Sequence, residues 1–144
     1  MIEQINRVTG EADEHSGKTG RTHEIVLTIP KQVWMTSNDR RHWADTYRRR
    51  RTIRAMSGWW AKHLHLTAAP PVTVTAEIRY PTNRKADPAN AEPTVKPILD
   101  GLTDAGAWPD DDSTHIRAVT YTRGPKTGQP GKYQVALTIR EEEN

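Results

Sequence analysis

The chain has 144 residues, enough for one domain with its own core, but apolar residues make up only 34% of it, so the core is thin or completed by a partner. No run approaches the ~18 apolar residues of a membrane span, and the first residues lack the basic-then-apolar order of a signal peptide. Cysteine is absent, which excludes disulfides, thiolate metal sites and Cys nucleophiles, and the expected compartment is the cytoplasm. The net charge of +3 is unevenly spread: residues 40–62 hold eight Arg or Lys against one Asp, and residues 86–112 hold seven acids against one Lys. Such segregation points to a polyanionic partner held beside a cation site, or to two blocks that pair with each other.

Taken in chain order, residues 1–23 are polar and without period, and read as a disordered arm. Residues 24–29 (EIVLTI) read as a strand, and a loop with Pro30, Ser37 and Asn38 follows. From 40 to 65, Trp43, Tyr47, Ile53, Met56, Trp60 and Leu64 recur at nearly helical spacing, with Arg50 interrupting the apolar stripe. After Pro70-Pro71, residues 72–80 alternate: Val72, Val74, Ala76, Ile78 and Tyr80 face one way, Thr73, Thr75, Glu77 and Arg79 the other. A Pro- and Asn-rich loop covers 81–93. A second helix is expected over 94–106, with Thr94 as N-cap, Val95, Leu99 and Leu102 on one face, Lys96, Asp100 and Asp104 on another, and Gly106 at the end. Residues 114–122 and 132–140 read as strands of a closing antiparallel hairpin, and 141–144 as a disordered tail. The expected fold is α+β, a single mixed sheet in β-α-β-α-β-β order with helices packed on it, spanning residues 24–140.

Two loops carry candidate chemistry. The first holds Asp87, Asn90 and Glu92; the second holds Asp110, Asp111 and Asp112. Adjacent carboxylates repel unless a cation neutralises them, and oxygen donors beside a basic region suit Mg²⁺, which can activate water against a phosphodiester. In extended backbone Asp110 and Asp112 face one side and Asp111 the other. The alternative is an ordinary solvated connector.

Residues 84–116, RKADPANAEPTVKPILDGLTDAGAWPDDDSTHI, resemble the RusA family of Holliday junction resolvases. That family shows a basic pair, D-x-D-N, a Lys four residues before an Asp, and a final A-G-x-W-x-D-D block. Here Asp87 matches the first acid, Asn90 the Asn, Lys96 and Asp100 the Lys-x-x-x-Asp, and Asp104 to Asp111 the last block; Ser37-Asn38-Asp39-Arg40 resembles an S-N-N-R loop. Two departures stand out. Ala89 replaces the second acid, and three extra residues precede Lys96; Glu92 lies among them and is the candidate replacement carboxylate.

The resemblance implies a homodimer that cuts four-way DNA junctions with Mg²⁺ (Mn²⁺ as substitute), in recombination and repair, in a phage or prophage setting. It implies Asp87 and Asp111 as metal ligands, Asp110 as a ligand or a group just behind one, and Lys96 as the cation that steadies the scissile phosphate. Arg40, Arg48, Arg49 and Arg51 are expected to meet DNA phosphates from the first helix and its approach, and Arg84, Lys85 and Asn90 beside the cutting site. Trp59 and Trp60 are candidates for base stacking, though core or interface packing is the commoner role. No HExxH, complete P-loop or G-x-S-x-G motif is present, so nucleotide cofactors and Ser hydrolysis have no support. The rivals are a DNA-binding protein of the same fold without nuclease activity, and an interaction module whose charged blocks pair internally.

Overall fold

The alternation of β-branched and polar residues in 72–79 produces a strand whose Val72, Val74, Ala76 and Ile78 are fully or almost fully buried while the intervening side chains stay half-exposed. The computed structural model describes residues 4–9 and 20–143. Five strands, β1 (Gln4–Thr9), β2 (Thr22–Pro30), β3 (Val72–Arg79), β4 (Ile116–Arg123) and β5 (Lys132–Glu141), form one sheet in the order β1-β2-β5-β3-β4. Only β3 and β4 pair in parallel, so the sheet is mixed and the fold is α+β. Helices α1 (Trp43–His63) and α2 (Glu92–Asp104) pack against each other and against the sheet.

The order corrects the expected closing hairpin. β4 and β5 are not neighbours; β5 lies between β2 and β3, antiparallel to both. Burial explains the choice. Val135, Leu137 and Ile139 are wholly buried, as a central strand requires, whereas β4 is largely exposed and closes an edge. The connection from 124 to 131 is strapped across the end of β3: Gly124 N donates to Ile78 O (2.9 Å), Thr127 N to Tyr80 O (2.8 Å) and Gly128 N to Pro81 O (3.1 Å).

Both ends of the chain also differ from expectation. Gln4–Thr9, expected in a disordered arm, pair antiparallel with β2 from Leu27 back to Thr22, because the β2 edge offers unpaired backbone groups that even a polar segment satisfies. The rest of that expected arm over 10–19, like residues 1–3 and Asn144, lies outside the described residues. Glu141, expected in a free tail, ends β5, and its carboxylate accepts from His23 Nε2 (2.8 Å) and Ala69 N (2.9 Å).

Helix α2 begins earlier than expected. A 3-10 turn over Pro88–Ala91 leads into it, and Ala91, not Thr94, is the capping residue. Thr94 is buried inside the helix, where its hydroxyl both accepts from Met35 N and donates to Met35 O, each at 2.8 Å. Pro97 therefore sits in the helix interior. Val95, Leu99 and Leu102 do face the core, and Gly106 follows the helix with φ 85, the left-handed conformation glycine tolerates.

The crossing of α1 and α2 is tight. A Cβ at Gly101 would overlap the Arg54 carbonyl oxygen, so only glycine lets the backbones approach this closely. On α1 only Ile53, Ser57 and Ala61 are buried; Trp43, Tyr47 and Trp59 are exposed, and Met56, Trp60 and Leu64 are half-buried. Arg50, which interrupts the stripe, is exposed too. The large aromatic residues of the core are Trp34, stacked on Tyr133 at 4.6 Å, and Trp108.

Candidate active site

Lys96 lies in the second turn of α2. Its ammonium donates to Asp100 Oδ1, one turn on, and to Asp111 Oδ2, both at 2.9 Å. The second contact requires the segment after α2 to fold back. Along the helix Asp104 is roughly 12 Å beyond Lys96, yet Asp111 returns to it. The turn that carries Asp111 is held locally: Asp111 N donates to Asp110 Oδ1 (2.7 Å), and Asp112 Oδ1 accepts from Thr114 N (2.9 Å), the Thr114 hydroxyl and His115 Nδ1 (2.8 Å).

The electrostatics follow from this packing. Lys96 holds the Asp111 carboxyl below its ordinary value, with Asp100 and Asp110 also beside it. Asp111 and then Asp100 raise the Lys96 ammonium above its own, so the Asp111 carboxylate and the Lys96 ammonium both stay charged near neutral pH. Asp112 is lowered to about 2 by the hydrogen bonds from Thr114 and His115. The expected role of a metal ion in offsetting neighbouring carboxylates is thus filled, for Asp100 and Asp111, by the Lys96 ammonium.

The other implied ligands are placed differently. Asp87 caps the 3-10 turn, its Oδ1 accepting from Ala89 N at 3.0 Å. Glu92 is the first residue of α2 and lines a groove between the helices. Among the described residues no group of three or more His, Cys, Asp or Glu is arranged to hold a metal ion. The set Asp87, Glu92, Asp110 and Asp111 is therefore not gathered as a ligand cage among the described residues.

The loop bearing Arg84, Lys85 and Asp87 is positioned by Arg123, a residue no motif marked. Its guanidinium lies over the Tyr80 ring (4.6 Å to the centroid) and donates to Thr82 O (3.1 Å) and Ala86 O (3.5 Å). Asn90 uses its backbone: its carbonyl accepts from Ser37 N at 2.8 Å, which ties the two resemblance-bearing loops together.

The basic residues sort into two groups. Arg48 and Arg49, both expected on DNA, are bound to Asp45 at 2.6 and 2.9 Å, and Arg49 also donates to Trp34 O (3.1 Å). Arg49 is a structural strut with little guanidinium left to offer. Arg40, Arg51, Arg84 and Lys85 are exposed and have no acidic partner among the described residues. Arg50, within the same arginine run, belongs with them. The two charged blocks do touch, through Arg54, whose guanidinium grips Asp104 at 2.5 and 2.8 Å and lowers its carboxyl. Asp100, the carboxylate partner of Lys96, was visible only as the i,i+4 half of a Lys-x-x-x-Asp pair.

No family model matches the chain. No curated protein matches it. Among solved structures, the periplasmic domain of Helicobacter pylori MotB (residues 90–256) is similar at 11% identity and a TM-score of 0.37, covering 95% of this chain and 88% of that one. A likeness that low carries no argument about activity. Among the described residues no helix is long and apolar enough to cross a membrane.

Proposed function

We propose that the chain is a RusA-type endonuclease that resolves four-way DNA junctions in the cytoplasm, acting as a homodimer that makes paired nicks. The observation that carries this reading is the Lys96 ammonium held between Asp100 and Asp111, on a helix whose neighbour presents unpaired arginines. Lys96 is half-exposed, so a phosphodiester reaching it exchanges one carboxylate contact for another anion rather than displacing buried structure. A cation kept charged by its neighbours is suited to offset charge that develops on phosphate oxygens or the leaving oxygen. Asp111, kept ionised, is the adjacent acceptor. Arg84 and Lys85, in the loop strapped by Arg123, would grip the backbone on either side of the cut. A symmetric dimer suits a substrate with approximate two-fold symmetry. The proposed dependence on Mg²⁺, or Mn²⁺ in its place, rests on the resemblance of residues 84–116 alone.

A second reading is favoured by particular observations: Ala89 lacks a carboxylate, Asp87 is spent on a cap, and Asp111 is clasped by Lys96. On that reading the chain binds branched DNA without cutting it. Incubation of the full chain with labelled four-way junction and with linear duplex, with and without Mg²⁺ or Mn²⁺, separates the two. Metal-dependent nicking that Asp111→Asn abolishes while junction binding survives is the expected result. Binding without nicking at every metal concentration establishes the second reading, and no binding at low salt removes both.

A further inference from the structure

Between α1 and α2 runs an open groove of about 570 Å³, lined by Tyr47, Arg50, Arg51 and Arg54 from α1 and by Glu92, Pro93, Lys96, Pro97 and Asp100 from α2. Its volume lies within the range of small-molecule sites. Two features make it more than a gap between helices. Tyr47 is 61% exposed at a position where the helical period would otherwise call for core packing. Arg50 and Arg51, next along the same helix, have neither a hydrogen bond nor an ion pair among the described residues, whereas Arg48, Arg49 and Arg54 are all engaged by acids.

We infer that this groove seats one unpaired nucleotide of a DNA strand, with its base against Tyr47 and its phosphate on Arg50 and Arg51. This deepens the reading above and rests on the protein being a DNA-binding one. An exposed aromatic ring next to prolines offers a flat apolar surface, and free guanidiniums beside it offer bidentate donors to phosphate; a ligand that uses both is an anion joined to a planar ring. An acidic peptide would satisfy the arginines but leave the Tyr47 ring in water. Duplex DNA would bring phosphates, but its bases are stacked on each other and unavailable. The carboxylates of Glu92 and Asp100 also line the groove. They can accept from an exocyclic amino group of the base.

The test uses the full chain in metal-free buffer, so that cutting plays no part. The probes are a duplex with a single bulged 2-aminopurine nucleotide, the same duplex fully paired, and a poly-glutamate peptide. The expected result is tighter binding to the bulged probe, by about 5- to 150-fold as base stacking on aromatic residues gives, with quenching of the 2-aminopurine. Tyr47→Ala should remove the preference and the quenching while fully paired duplex still binds; Tyr47→Phe should keep both. Arg50→Ala with Arg51→Ala should weaken the bulged probe more than the paired one. Equal binding of the two duplexes, equal loss on both in Tyr47→Ala, or preference for poly-glutamate over both overturns the inference. Junction cutting with no bulge preference defeats the inference alone, and a bulge preference without cutting at any metal concentration defeats the nuclease reading alone.

Discussion

The two helices lie against each other but are built on opposite plans. In α2, seven of thirteen residues are buried; in α1, three of twenty-one are. Helix α2 is held by the core and by Thr94, so its charged face can be placed to within a hydrogen bond, and Lys96, Asp100 and Asp104 each have a defined partner. Helix α1 buries side chains only from its midpoint onward; Arg49 ties its first half to Trp34 O, and that half otherwise projects arginines and aromatic rings that the core does not use. One helix fixes charge and the other displays it. Pairing the two puts a positioned Lys–Asp centre next to adaptable cations, the arrangement on which the proposed function rests.

Breaking the crossing tests that contrast most severely. Gly101→Leu places a side chain where Arg54 O stands and should lower stability by about 1–3 kcal/mol or more as overpacking does, with a clear fall in the thermal midpoint by circular dichroism. Gly58, on the other side, has its ideal Cβ 3.0 Å from Gly101 O, so Gly58→Ala should cost less. Next, Thr94→Val removes a buried hydroxyl that serves both backbone groups of Met35; leaving those groups unpaired should cost about 1–3 kcal/mol, and faster amide exchange at Met35 is the local sign.

Exposed charge in the loop before α2 is expected to affect the proposed DNA binding rather than folding. Arg84→Ala with Lys85→Ala should leave the thermal midpoint in place but reduce the slope of log affinity against log salt by about 2, one for each phosphate left without its cation. An unchanged slope would put those side chains away from DNA. On the positioned side, the Asp112 carboxyl at about 2 lies below its ordinary 3.8, so its contribution to the turn is complete above about pH 4 and is lost as pH falls through about 2. Asp111 is lowered as well; Lys96→Met should bring its titration, followed by carboxyl NMR, back toward the ordinary range. The smallest effect is expected at Arg48→Ala, where an exposed pair with Asp45 is removed and stability should shift by no more than about 1 kcal/mol.

The alternation in β3 and β5 was plain in the sequence because each strand has a fully buried face, and periodicity reports burial directly. It could not show that β5 pairs with β2 and β3 in place of β4, since partners distant along the chain leave no mark on the period of either strand. β1 escaped notice for a related reason: QINRVT pairs with β2 through backbone groups, and backbone hydrogen bonding has no side-chain signature. Thr94 reads as a cap by residue type, but the 3-10 turn ahead of it moves the helix start upstream and leaves its hydroxyl for Met35. In the candidate site the Lys96–Asp100 pair was legible from its spacing. The Lys96–Asp111 contact was not, because it depends on how the segment after Gly106 turns back.

The place of β5 has a consequence for biosynthesis. Until residues 132–141 have left the ribosome, β1 and β2 have no ladder to β3 and β4, because β5 is the seam between the two pairs. The nascent chain therefore waits, with two open edges exposed, for that segment, and a nonsense mutation just ahead of Lys132 would leave two unjoined half-sheets, a substrate for chaperones and proteases.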